Sequence, residues 1–138
     1  MRRRMLVFGL TVTALVGRAA QSLAQAADGW RSVMARAFEM RRQAEEAGDQ
    51  PYGAVVVKDQ SIIAESPSRV ISSRNADAHA EREAIRLAQQ RLGSNSLAGC
   101  VLVSSSHPCG LCEKAAQLAG IVRMIYGDQM IDGGPPRG

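Results

Sequence analysis

Cysteine and histidine are scarce in this chain, and long apolar runs are missing. Three cysteines and two histidines stand among 138 residues. Three thiols, two of them close neighbours, are not the evenly numbered, spaced set of a disulfide framework. The N-terminal apolar stretch from Met5 to Val16 is too short to cross a bilayer as a helix, which takes roughly 20 residues. No segment repeats at a fixed period. A basic excess is missing too, once its source is located. The formal net charge is +4, but Arg2, Arg3, Arg4 and Arg18 all lie in the first 26 residues, which hold no acid. The remainder carries thirteen groups of each sign. Proteins that grip polyanions usually show a basic face, so no nucleic-acid partner is expected.

The first 26 residues have the order of an export signal. Arg2, Arg3 and Arg4 precede the apolar stretch, and Ala24-Gln25-Ala26 offers the small-x-small pattern of a cleavage site. Residues 1–26 are therefore expected to be a signal peptide, leaving no stable membrane span after processing and a periplasmic or secreted product. Arg3-Arg4-Met5-Leu6-Val7 resembles a twin-arginine signal, a route that exports folded chains; the general secretory route fits nearly as well.

Between Asp28 and Ala47 the apolar residues Trp30, Val33, Met34, Ala37, Phe38 and Ala44 recur at helical spacing. Gly48 and Pro51 close that helix. Tyr52 to Val57 and Ile62 to Ala64 are β-rich runs around Lys58-Asp59-Gln60-Ser61, a hairpin. A polar loop over 66–77 comes next. A second helix is expected over His79–Leu92, ended by Gly93, and then a strand over Leu97–Val103. A third helix opens at Pro108 and Cys109, and a fourth strand covers Ile121–Tyr126. A helix joining the last two strands makes them parallel, so a sheet covered by helices is expected. Residues 128–138, with Gly133-Gly134-Pro135-Pro136, read as a flexible tail, leaving one domain over 27–127.

The chemistry sits in two short stretches, His79-Ala80-Glu81 and Pro108-Cys109-Gly110-Leu111-Cys112. One imidazole and two thiols can hold a catalytic zinc at three points and leave a fourth for water. Three positions apart on a helix, Cys109 and Cys112 face one side. Two apart, His79 and Glu81 converge on one ion only if the histidine stands at the helix entrance, before the backbone is regular. Two other readings use the same residues. Cys109 and Cys112 could form a redox disulfide, or His107 could join His79 and both cysteines in a closed structural zinc site. Cys100 reads as a small buried hydrophobe.

HxE followed by PCxxC is the signature of zinc deaminases acting on bases, and residues 51–127 resemble the cytidine and deoxycytidylate deaminase superfamily. The likeness is greatest to the branch of guanine deaminases and tRNA adenosine deaminases, through Pro51-Tyr52-Gly53-Ala54-Val55-Val56-Val57, Leu97-Ala98-Gly99-Cys100-Val101-Leu102 and Ile121-Val122-Arg123-Met124-Ile125-Tyr126-Gly127. The resemblance implies a three-layer α/β/α fold of the cytidine deaminase type, with a mixed sheet of four or five strands. It implies Zn2+ held by His79, Cys109 and Cys112, with Glu81 as the catalytic proton shuttle for a zinc-activated water. It also implies a substrate contact from the backbone N–H of Ala80, and a homodimer.

Three departures bear on the substrate. Ser68 stands where relatives carry a base-recognising asparagine, and His107 stands where they carry glutamate. The loop before the histidine ends Asn75-Ala76-Asp77-Ala78 in place of Asp-Pro-Thr-Ala. Ser68 and His107 are accordingly candidate substrate contacts. Relatives also continue past the fourth strand into elements that close the pocket, so either a partner subunit completes it here or it is open. The function expected is zinc-dependent hydrolytic deamination of a small nucleobase, nucleoside or related amino-heterocycle. The alternatives are a non-catalytic zinc-stabilised domain and a tRNA adenosine deaminase.

Overall fold

A computed structural model describes the backbone from Val12 to Gly138 and the side chains from Asp28 onward. Residues 1–11 of the expected export signal, and the side chains of all of it, lie outside the described residues. The chain forms two compact units, residues 1–30 and 31–138. The described part of the first is helical from Val12, the start of α1 (Val12–Glu46). That start precedes the expected Asp28, because residues 12–27 are mostly Ala, Leu, Gln and other residues that a helix accepts. Among the described residues, no helix is long and apolar enough to cross a membrane.

The second unit is a five-stranded mixed sheet with helices on both faces. Its further elements are β1 (Gly53–Lys58), β2 (Ser61–Pro67), α2 (Ala80–Leu92), β3 (Val101–Ser104), α3 (Gly110–Ala119), β4 (Arg123–Tyr126) and β5 (Ile131–Gly134). The spatial order is β2-β1-β3-β4-β5. β1 is antiparallel to both β2 and β3, β3 and β4 are parallel as expected, and β5 is antiparallel to β4. Asp59 and Gln60 turn the β1–β2 hairpin with φ of 49° and 63°, the left-handed pair that matches strand twist in two-residue loops.

The flexible tail expected over 128–138 is corrected by β5. Tyr126 pairs with Ile131 and Ile125 with Asp132, so main-chain pairing orders a segment that its Gly and Pro content marks as loose. The edge β4 would otherwise leave unpaired is thereby covered.

Alternation along the strands divides the core in two. Ala54, Val56, Leu102 and Met124 face one way and cluster with Ala80, Ala84, Ile85 and Ala88 of α2 and Ala116 and Ala119 of α3. Val55, Val57, Val103 and Ile125 alternate with them and are also buried. Gly53 shows which element covers this second face. A Cβ there would lie 2.1 Å from the Ala37 carbonyl oxygen and 2.4 Å from the Arg41 nitrogen, both backbone atoms of α1. Val33, Met34, Ala37, Met40 and Ala44 are the buried stripe of that helix. Arg36 reaches across to Glu65 on β2, Nε to Oε2 at 3.0 Å, a partly exposed pair of small energetic value.

The two ends of α2 differ in kind. Gly93, at φ 63°, caps the C-terminal end by donating to the carbonyls of Gln89 and Gln90. At the opposite end of α2, and at the start of α3, helix N-termini meet beyond the C-terminal end of β3, where open α/β sheets place their ligands.

Because backbone cannot yield as a side chain can, Gly53→Ala is expected to destabilise the fold by about 2–3 kcal/mol. Urea melts followed by circular dichroism measure this, and an unchanged midpoint would show that α1 does not approach β1 so closely.

Candidate active site

His79 is the N-cap of α2, with φ −62° and ψ 148°. The backbone is therefore still extended at the histidine and becomes helical at Ala80, which resolves the spacing problem posed by His79 and Glu81. The imidazole makes no capping bond to its own helix. It turns instead toward α3, with Nδ1 3.4 Å from Cys112 Sγ and 3.7 Å from Cys109 Sγ.

On α3 the expected start is corrected by two residues. Cys109 is the N-cap, with φ −67° and ψ 165°, and the helix begins at Gly110, so Pro108 stands before the cap. The two sulfurs still converge, because an N-cap side chain folds back over the first turn. Cys109 Sγ accepts from the Cys112 backbone N–H at 3.4 Å.

Nδ1 and the two Sγ atoms all lie within 4.8 Å of one another. Zinc bonds of about 2.3 Å to sulfur and about 2.0–2.1 Å to nitrogen, at tetrahedral angles, put donor atoms roughly 3.5–3.8 Å apart. The observed separations approach that figure, so the donor set fits zinc. The sulfurs are 3.2 Å apart, beyond the ~2.05 Å of a disulfide, and both thiols are free. His107 does not join the group, which among the described residues comprises His79, Cys109 and Cys112 alone. Three protein donors are one fewer than a closed structural zinc site uses.

The electrostatics set the protonation of the thiols. Burial pushes the Cys112 thiol well above its ordinary value, and the charges of Glu81 and Cys109 push it further the same way. Arg82 opposes this through its contact with Cys112 while its Nη1 donates to Asp77 at 2.9 Å. A metal ion removes the proton outright, since coordination requires the thiolate. N-termini of two helices aimed at the centre favour the same anionic form.

Glu81 is 5% exposed, and its Oε1 accepts from Ser104 Oγ at 2.7 Å. This bond ties the first turn of α2 to the end of β3. Glu81, His79 and Cys109 line one cavity of about 390 Å³, together with Gln50, Pro51, Tyr52, Ser106 and His107. His107 Nδ1 lies 2.7 Å from the Pro108 carbonyl oxygen. A carbonyl only accepts, so Nδ1 carries the proton and donates it. The ring meets Tyr126 edge-on at 4.5 Å.

One of the expected substrate contacts stands elsewhere. Ser68 is buried and absent from the cavity lining, and its hydroxyl donates to Asp49 Oδ1 at 3.1 Å. Ala80 is buried and contributes no lining side chain; as the first helical residue its N–H has no partner within α2. Sequence reasoning missed Gln50, Tyr52, Ser106, Ser104, Arg82 and Asp49, whose roles depend on neighbours distant in the chain.

Asp49 ties this periphery together. It accepts from the backbone N–H of Gln50 and Ser72 at 2.8 Å each and of Ile71 at 3.3 Å. Burial works to raise its carboxyl, but the hydrogen bonds from Ser72, Gln50 and Ile71 outweigh burial and hold it at about 2.

The chain belongs to a family defined by this donor set. Residues 29–128 match the model of the cytidine and deoxycytidylate deaminase zinc-binding region, so the chain is a member of that family and zinc is the metal its donors take. It is similar to guanine deaminase of Bacillus subtilis (strain 168), 42% identical over 82 residues, which are 59% of this chain and 53% of the relative. It is similar as well to tRNA-specific adenosine deaminase of Agrobacterium fabrum (strain C58 / ATCC 33970), 40% identical over 93 residues, covering 67% and 61%. A structure solved in a study of A-to-I editing by tRNA:A34 deaminases superposes with a TM-score of 0.68 at 37% identity, covering 69% of this chain and 73% of that one. The chain thus spans just over half to three fifths of the length of these two curated relatives.

Two outcomes test the site. Cys112→Ala should lower bound zinc from about one ion per chain to near none, as read by metal analysis after dialysis; full retention would remove Cys112 from the ligand set. Because the folded Asp49 carboxyl titrates below its unfolded value of ~3.9, its stabilising effect is complete above that pH and is lost as pH falls through about 2. Asp49→Asn should flatten stability against pH over this acid window, and melts at stepped pH would reveal an unchanged slope if Asp49 were not the group.

Proposed function

We propose that this protein is a zinc-dependent hydrolytic deaminase of a small amino-heterocycle, a nucleobase, nucleoside or related compound. The observation that carries the reading is a buried, anchored carboxylate sharing one cavity with a three-donor zinc site. When bound, zinc supplies Lewis-acid activation that makes water a nucleophile near neutral pH.

Glu81 moves the protons. It accepts one from the attacking water, delivers it to the ring nitrogen beside the amine-bearing carbon, and carries the next to the departing amine. A C–O bond forms, the C–N bond breaks, and ammonia leaves. Ser104 holds the Glu81 carboxylate through Oε1, which leaves its second oxygen for this traffic. A non-catalytic zinc domain would have no use for an acid held at the cavity wall.

A tRNA adenosine deaminase is the second reading, favoured by the Agrobacterium relative. The charge balance of residues 27–138 counts against it. The N-terminal order of arginines, apolar stretch and Ala24-Gln25-Ala26 supports export to the periplasm or beyond, where tRNA is not the expected substrate.

Glu81→Gln should retain zinc and lose activity by about 10²–10⁴-fold, measured as ammonia release from cytosine, adenine and guanine compounds; loss of the metal in that variant would show that Glu81 serves the zinc site. Inosine formed in tRNA with no ammonia from small compounds would establish the second reading. N-terminal sequencing of the exported protein should begin at Ala27, and an intact Met1 would refute cleavage.

A further inference from the structure

Among the described residues lining the cavity, Gln50 carries the only carboxamide. Its backbone is fixed on both sides, since its N–H donates to Asp49 Oδ1 at 2.8 Å and its carbonyl accepts from the Tyr52 N–H at 2.8 Å. Pro51 comes next and restricts Gln50 to extended backbone. Asp49 is itself buried and held by Ser68 and Ser72. The half-buried side chain of Gln50 therefore projects from a rigid point.

Of the other polar residues of the cavity, Tyr52 and Ser106 bring one hydroxyl each, and the rest have work. His79 and Cys109 are metal donors, Glu81 moves protons, and the His107 Nδ1–H donates to the Pro108 carbonyl. A hydroxyl is a single rotating group, whereas Gln50 offers a planar donor and acceptor pair. A carboxamide sets an acceptor oxygen beside an N–H donor, and its complement is an N–H next to an acceptor.

We propose that Gln50 is the specificity-determining residue of this site, pairing with the N–H and adjacent acceptor that a free base presents where a sugar would be attached. This rests on the deaminase reading above. Cytosine offers N1–H beside O2 and adenine N9–H beside N3. Glycosylation replaces that N–H, so a nucleoside leaves the Gln50 oxygen unpaired in a partly desolvated site. Sites built around a hydrogen bond reject analogues that lack it, and one such loss corresponds to about 10- to 100-fold in kcat/KM.

The test compares cytosine, adenine and guanine with their nucleosides, using the full zinc-loaded chain. The wild type should favour a free base over its nucleoside by about 10- to 100-fold. In Gln50→Ala that ratio should fall toward one, through a raised KM for the free base, with zinc content and melting temperature unchanged. Gln50→Glu keeps the shape but loses the donor, and should raise the same KM even if the alanine variant fails to fold. An unchanged ratio in both variants, or a wild type that prefers nucleosides, overturns the assignment. Should the wild type release no ammonia at all, the deaminase reading fails by itself, and calorimetry with uracil and hypoxanthine decides the role of Gln50. Those bases retain the same N–H and acceptor edge. Binding that Gln50→Ala abolishes supports the role; equal binding in both proteins, or none, sinks it.

Discussion

One imidazole, two sulfur donors and a carboxylate are crowded at one end of the sheet, an arrangement suited to a cation. Burial and the neighbouring negative groups drive the Cys112 thiol toward its neutral form. Coordination reverses that preference, because a metal ion offsets the charge that burial penalises. The rest of the unit serves to bring the donors together. The parallel pair β3 and β4, with α3 crossing between them, sets the cysteines beyond the end of β3. α2 packs on the same face and delivers His79 and Glu81 from its first turn.

Rigidity around the centre comes from bonds between segments remote in sequence. Ser104 at the end of β3 holds Glu81 on α2. Asp49, just past α1, gathers the backbone of residues 71 and 72 and the hydroxyl of Ser68. Hydrogen bonds to a carboxylate are stronger than neutral ones, which suits Asp49 to pin a loop with little apolar burial of its own. One consequence reaches the cavity: Ser68 is engaged in holding the loop and is not free to read a substrate.

How much was legible depended on whether the signal was local. The hairpin, α2 with its Gly93 stop and the parallel strands could be read from periodicity, turn residues and spacing, and the His79, Cys109 and Cys112 set from the HxE and PCxxC signature. The strand in the C-terminal segment could not, because Gly and Pro mark loops and nothing local reveals that β4 has an edge to offer. The helix start at Gly110 was also missed, since Pro108 suits a first helical position as well as one before the cap. Gln50, Ser106 and Ser104 carry no motif. Their importance comes from where the sheet and its loops put them.

Taken alone, the order of residues determined which atoms can bind metal and move protons, because imidazole, thiol and carboxylate chemistry belongs to the side chains themselves and their spacing is covalent. It also determined the alternation that buries both faces of β1. Only the tertiary structure decided that His79 points across to α3, that Ser68 turns to Asp49, that His107 stays outside the donor set and that Gln50 shares the cavity with Glu81. Those outcomes depend on contacts between distant segments, and a contact between distant segments exists only once the chain has packed.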